Sequence, residues 1–379
     1  MHRPGRAALH LALACSLLSC TGTGSPPPSH AIPTLKVAFF QDLSIDDPLE
    51  LVSPSFRALQ LALVEDESGA PVALRAEPFD TRGDAAVALR FARQVAADAA
   101  YVAVVVAPFW GEPAEVGAMF ARAGLPVLSL SPVDPVPPSG AVWRRLVAGQ
   151  DVQAATLAAA LDADTTEGGS ACLGDDGSPY ASGLRAMVDA SVETTIGARF
   201  VAPPHDPGSL GRAVSSIRAA HCRVVGWTGF PDGARSLRDA LSSGGLVDVP
   251  IAGADAMKVR SYLTQAADAE GTIVTCPCAD VTTSADPGAQ RFVHDYQAAT
   301  GLEPGPYAAE GWDAAGILLG LIEGGARTRG AVRAGLARIH DAPGVAGGYR
   351  FGSDGSVDGS RVATYLARGL RWVATGVEP

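Results

Sequence analysis

Six short segments carry most of the side chains capable of chemistry, and each follows an apolar, strand-like run. They are "QDLSIDDPLELVSPS" (41–55), "PFWGEP" (108–113), "SPVDP" (131–135), "DDGSPY" (175–180), "TGFPDG" (228–233) and "ADAMK" (254–258). Their contents are aromatic and acidic: Trp110, Tyr180 and Phe230 beside Asp42, Glu112, Asp134 and Asp255. Aromatic walls with a few carboxylates suit a small, partly apolar molecule carrying a positive group. The plainer alternative is solvated loop acids and aromatics that merely cover sheet ends. Catalytic patterns are sparse: there is no HExxH, no GxSxG and no GxxxxGK[ST], and His205, His221, His294 and His340 have no nucleophile beside them in sequence. "DGSVDG" (354–359) copies the opening of a calcium loop, but Tyr365 stands where a bidentate Glu is required, so it reads as a turn. "TCPCAD" has one residue between its cysteines, and no nearby Cys or His pair completes a zinc site. Neither metal nor cofactor is expected.

The elements that must position these loops alternate strand and helix. "LKVAFF", "VALRAEPFD", "YVAVVVAP" and "PVLSLS" read as strands, with helices over Pro54–Glu65, Asp84–Ala97 and Pro113–Ala123 between them. "YVAVVVAP" is apolar on both faces, as a central parallel strand requires. After "VWRRLV" the rhythm restarts, with a helix capped by Asp151, then "SACLGD", "ARFVAP", "RVVGW", "VPIAGAD" and "GTIVTC" separated by helices. Longer helices at Pro287–Thr300 and Ala308–Gly324, a third from Gly330, and a closing hairpin around Arg368-Gly369 complete the chain. Two successive doubly wound α/β units fit this order. Ligands of open parallel sheets bind outside the carboxyl ends of the strands, which is where the six segments fall.

Bulk properties narrow the class. The 379-residue chain has a net charge of −11, and no basic cluster breaks the acidic balance, which disfavours nucleic acid and anionic lipid. Ala7–Leu18 is an apolar run behind Arg3 and Arg6, shorter than the roughly 20 residues a bilayer span needs, and reads as the core of an export leader. Leu17-Leu18-Ser19-Cys20 looks like a bacterial lipobox, with residues 1–19 removed and Cys20 lipidated; a plain secretory leader is the alternative. The Gly/Ser/Pro stretch that follows, to residue 33, cannot bury enough surface to fold and reads as a tether. In an oxidising compartment Cys172, Cys222, Cys276 and Cys278 could form bridges or remain buried thiols, and spacing does not assign them.

From about Leu35 to Thr375 the chain resembles the branched-chain amino-acid-binding family of periplasmic binding proteins, the solute receptors of ABC importers. The resemblance rests on an ordered set of strings: "ALRFARQVAADAAYVAVVVAP", "AGLPVLSLSPVDP", "VWRRLVAGQDVQAATLAAAL", "GDDGSPYASGLRAMVDA" and "DPGSLGRAVSSIRAAHCRVVGWTGFPDGARSLRDALSSGGL". It implies two lobes joined by three crossings, placed near Ala148, Cys278 and Ala342, with a ligand cleft between them. Lobe one is then 34–148 plus 279–341, and lobe two 149–278 plus 342–379. It also implies that Asp255 meets a ligand ammonium, that Tyr180 and Phe230 pack on the ligand, and that Ser131 donates a hydrogen bond from lobe one. Trp110 would wall that lobe. The chain departs from the family at Val133, where a threonine is usual, and at "PFWGEP", where a serine run is typical. The cation end is therefore expected intact and the carboxylate grip weakened. The implied role is a monomeric, non-enzymatic receptor for an amino acid or a related amine or amide. Its partners would be an ABC permease and, through the N-terminal lipid alone, the membrane. A ligand sensor of the same fold read by a signalling partner is the runner-up, and an exported enzyme the more distant one.

Overall fold

The computed structural model describes residues 34–43, 53–65, 72–109, 111, 113–133, 142–165, 169–359 and 362–377. Cys20, Trp110, Glu112 and Asp134 lie outside them. The first unit runs β1 (Thr34–Gln41), α1 (Pro54–Glu65), β2 (Ala73–Asp80), α2 (Ala85–Ala97), β3 (Tyr101–Val106), α3 (Ala114–Ala123), β4 (Val127–Ser129) and β5 (Trp143–Arg145). Its five strands make one parallel sheet in the order β2-β1-β3-β4-β5. All six residues of β3 are buried, as expected of a strand between two others with helices on both faces. Asp84 stops the chain for α2, its carboxylate accepting the N–H groups of Ala86 and Val87. Gly124, at φ +68°, ends α3 in the left-handed conformation that glycine adopts without strain.

The second unit runs α4 (Gln150–Asp164), β6 (Ser170–Asp175), α5 (Pro179–Ser191), β7 (Thr195–Val201), α6 (Pro207–Ala219), β8 (Cys222–Trp227), α7 (Pro231–Ser243) and β9 (Ile251–Gly253). A 3₁₀ turn at Asp255–Met257, α8 (Arg260–Gln265) and β10 (Ile273–Cys276) follow. α4 starts one residue ahead of the expected Asp151, because Gly149 takes the cap position. After α9 (Pro287–Thr300), α10 (Ala308–Glu323) and α11 (Arg329–Arg338) come the short pair β11 (Asp341–Ala342) and β12 (Tyr349–Arg350). The hairpin β13 (Ala363–Arg368) and β14 (Arg371–Val377) closes the chain. The second sheet has the order β14-β13-β10-β9-β8-β6-β7, parallel except at β13 and β14. α5, α6, α7 and α9 each begin with proline, whose fixed φ suits the first helical turn. Gly369 and Leu370, both at positive φ, make the tight hairpin turn. A disulfide between Cys172 on β6 and Cys222 at the start of β8 ties neighbouring strands.

Two helices from the C-terminal third return to the first sheet. Ala314, Ala315, Leu318 and Ile322 of α10, with Val332 and Leu336 of α11, pack into the core of Val37, Phe39, Phe56, Leu59 and Leu128. Burying one such aliphatic or aromatic side chain stabilises by roughly 1.5–3 kcal/mol. α10 crosses α1 with backbone almost touching backbone: a Cβ at Gly311 would lie 2.2 Å from the Ser55 carbonyl oxygen. Tyr349 and Phe351 belong to this same core, and the Arg145 N–H donates to the Gly355 carbonyl. The expected crossing at Ala342 is thus misplaced: the chain stays on the first sheet through Val357 and joins the second only at Ala363. The calcium-like "DGSVDG" string forms this clip; a Cβ at Gly355, φ +88°, would meet the Trp143 carbonyl at 2.0 Å.

The three passages between sheets meet in one cluster of Val147, Cys276, Cys278, Tyr307, Ala363 and Tyr365. Cys276 and Cys278 are bonded to each other there, and the Tyr365 hydroxyl donates to the Cys278 carbonyl at 3.2 Å.

Candidate functional site

Asp255 follows β9, is 2% exposed, and is held by several side chains near the strand ends. The Gln153 amide of α4 donates to its Oδ1 at 2.5 Å and the Tyr180 hydroxyl at 2.8 Å; the Tyr307 hydroxyl donates to Oδ2 at 2.5 Å. Burial pushes the carboxyl pKa up, and the hydrogen bonds from Tyr307, Gln153, Tyr180 and its own backbone offset this only in part. Tyr307 is the residue ahead of α10, on the side of the first sheet, so Asp255 is held from both sheets at once.

Beside it three aromatic rings meet. Phe109, in the loop after β3, lies edge-on to Tyr180 at 4.8 Å and to Phe230 at 5.5 Å, and the latter two are 5.5 Å apart. Local sequence sets the pair on the second sheet. Ser178 caps α5 and puts Tyr180 in its first turn, while the Asp176 carboxylate accepts the Phe230 N–H at 2.7 Å. Phe109 has φ +62° and Tyr307 φ +61°, a left-handed backbone that side-chain-bearing residues seldom adopt. Both are therefore held in costly conformations where the two sheets face each other, a pattern typical of functional sites.

On the other side of Asp255 opens a cavity of about 730 Å³. It is lined by Gln41, Ser53 and Ser55 from β1 and α1, Phe109, Asp255, Lys258, Tyr307 and, from the hinge, Ala279–Thr283 and Tyr365. Tyr180 and Phe230 do not line it; they close the far side of the carboxylate.

Of the expected site residues, then, Asp255, Tyr180 and Phe230 are brought together, and Trp110 lies outside the described residues. Ser131 is not at the cavity: it is fully buried and its Oγ accepts the Val133 N–H at 3.2 Å. Asp42 lines the cavity, whereas Asp176 serves its own loop. Sequence reading passed over Gln153, Phe109 and Tyr307. Phe109 sat next to the larger Trp110, and Tyr307 is separated from Asp255 by two helices and a strand. Among the described residues no group of three His, Cys, Asp or Glu side chains could hold a metal, and no helix is long and apolar enough to cross a membrane.

A family model described as periplasmic binding protein matches residues 34–368. The fold is similar to the Streptococcus pneumoniae branched-chain amino acid transporter substrate-binding protein LivJ, solved with isoleucine. Identity is 18%, with 92% of this chain and 99% of that one covered and a TM-score of 0.78. An ABC transporter substrate-binding protein from Desulfitobacterium hafniense, solved with Leu, is 22% identical over 90% and 99% of the chains, with a TM-score of 0.72. A solute-binding protein from R. palustris in complex with benzoate is 14% identical over 92% and 96%, with a TM-score of 0.71. Comparison with curated proteins gives no match.

Proposed function

The chain belongs to the periplasmic binding protein family, and from that premise we propose that it is an extracytoplasmic solute receptor that hands a small ligand to an ABC importer. The ligand is an amino acid or a related amine or amide, captured as the two sheets' loops close over it. One observation carries the reading: a buried carboxylate, Asp255, held by donors from both sides of the cleft and lining a cavity of about 730 Å³. A ligand ammonium pairs with that carboxylate from the cavity, beside the Phe109 ring, while Tyr180 and Phe230 back the carboxylate from its far side. Cys20 carries the lipid that anchors the chain, which acts as a monomer.

The test begins with thermal shifts of the purified full chain against amino acids, polyamines, amides and aromatic acids. A ligand at 100 times its dissociation constant adds about 2.7 kcal/mol to stability, which is readily seen. With the ligand so found, Asp255→Ala is expected to weaken binding by about 2–5 kcal/mol in calorimetry. Unchanged affinity removes Asp255 from the site. Ligand-dependent co-purification with an ABC permease separates delivery from a signalling role.

A further inference from the structure

The cavity beside Asp255 contains two groups that the cation end does not use. Gln41, at the carboxyl end of β1, is 1% exposed. Its Oε1 accepts the Ser53 hydroxyl at 2.6 Å, while its Nε2 is buried with no hydrogen-bond partner among the described residues, in a side chain that borders the cavity. A buried amide N–H with no acceptor costs about 1–3 kcal/mol, so it marks a position that something else should fill. Lys258, one residue beyond the 3₁₀ turn of Asp255, also lines the cavity. Its Nζ lies 3.9 Å from the centre of the Tyr365 ring and forms no ion pair within 4.0 Å among the described residues.

The acids around Lys258 are engaged elsewhere. Asp280 accepts the Thr282 N–H and the hydroxyls of Thr282 and Thr283. Glu310 accepts the Ala279 N–H at 2.7 Å, and Glu303 faces Arg371 at 3.9 Å. Burial lowers the Lys258 pKa to about 8, outweighing the attraction of Asp280 and Glu310. The ammonium thus has no ion-pair partner within 4.0 Å among the described residues, although Asp42, Asp255, Asp280 and Glu303 line the same cavity, and the unsatisfied Gln41 amide borders it.

We propose that the cavity takes a carboxylate-bearing solute, its anionic end held by Lys258 from the second sheet's side and Gln41 from the first. This rests on the receptor reading and moves the anion grip to the hinge side of the cleft, away from the loop where Ser131 proved buried. Because the two donors come from opposite sheets, the carboxylate itself couples binding to closure.

Two matched series test it on the purified full chain by thermal shift and calorimetry. The first is L-leucine, 3-methylbutylamine and 4-methylpentanoate; the second is L-phenylalanine, 2-phenylethylamine and 3-phenylpropanoate. Amino acids or carboxylates of at least one series are expected to bind at pH 7, and Lys258→Met to weaken them about 30-fold or more while sparing the amine. The same binding should fade as pH rises through about 8, where Lys258 loses its proton, and be flat with pH in the variant. Gln41→Glu, which places a negative charge against the carboxylate, gives a second reading should Lys258→Met fail to fold. Binding of amines without carboxylates overturns this inference and leaves the receptor reading standing, as does carboxylate binding that neither variant alters. No binding by any of the six overturns this inference, and the receptor reading falls with it only if the wider panel of amino acids, polyamines, amides and aromatic acids also fails.

Discussion

Glu310 gives the sharpest quantitative test of the structure. It lies in the first turn of α10, buried, with Oε1 on the Ala279 N–H and Oε2 without a partner among the described residues. Burial raises its pKa from 4.5 to about 7, against the opposing pull of that hydrogen bond. The folded protein thus keeps a proton that the unfolded chain releases above pH 4.5. Its stabilising effect is full below that pH, declines as pH rises, and is exhausted above about 7. At 1.36 kcal/mol per pH unit the whole decline is worth about 3 kcal/mol. Glu310→Gln keeps an acceptor for Ala279 and cannot ionise. Guanidinium unfolding at pH 4.5, 6 and 8 should therefore show the variant near wild type at the lowest pH and up to about 3 kcal/mol more stable at the highest. Asp313, raised to about 6 by burial, contributes a decline of the same sign at lower pH in both proteins, so the difference between them isolates Glu310. A difference that does not change with pH, or a variant no more stable than wild type at pH 8, refutes the reasoning.

Two further outcomes check the fold. Gly311→Ala should cost about 1–3 kcal/mol or more in denaturant unfolding, since its Cβ meets the Ser55 carbonyl and neither backbone can give way. Replacing both Cys172 and Cys222 by Ala should lower stability by about 2–4 kcal/mol, because their bond closes a long loop; equal midpoints with and without the bond would contradict it.

Much of the scaffold was legible because its signals are local. Pro287–Thr300 announces itself with Asp286 and a proline at one end and Gly301 at the other, and the helix occupies that span. Alternation of strand and helix was enough to place Asp255, Tyr180 and Phe230 at strand ends. The third crossing was misjudged because Tyr349 and Phe351 look like any terminal strand, and only tertiary packing shows which sheet claims them. The site's remaining members were hidden for a similar reason. Gln153 sits on a helix and Tyr307 ahead of another, and neither carries a local mark of its partnership with Asp255. Gln41 is an ordinary end-of-strand residue until its amide is found without an acceptor. Ser131 lies away from the cavity, buried, with its Oγ accepting the Val133 N–H of its own loop.

The bond from Tyr307 to Asp255 spans the two halves of the molecule, and this bears on how an empty receptor rests. Parting the halves strips a phenol from an acid that water cannot easily reach, so the vacant form has its own reason to stay shut. A solute that drifts in must then first wait for that latch to slip.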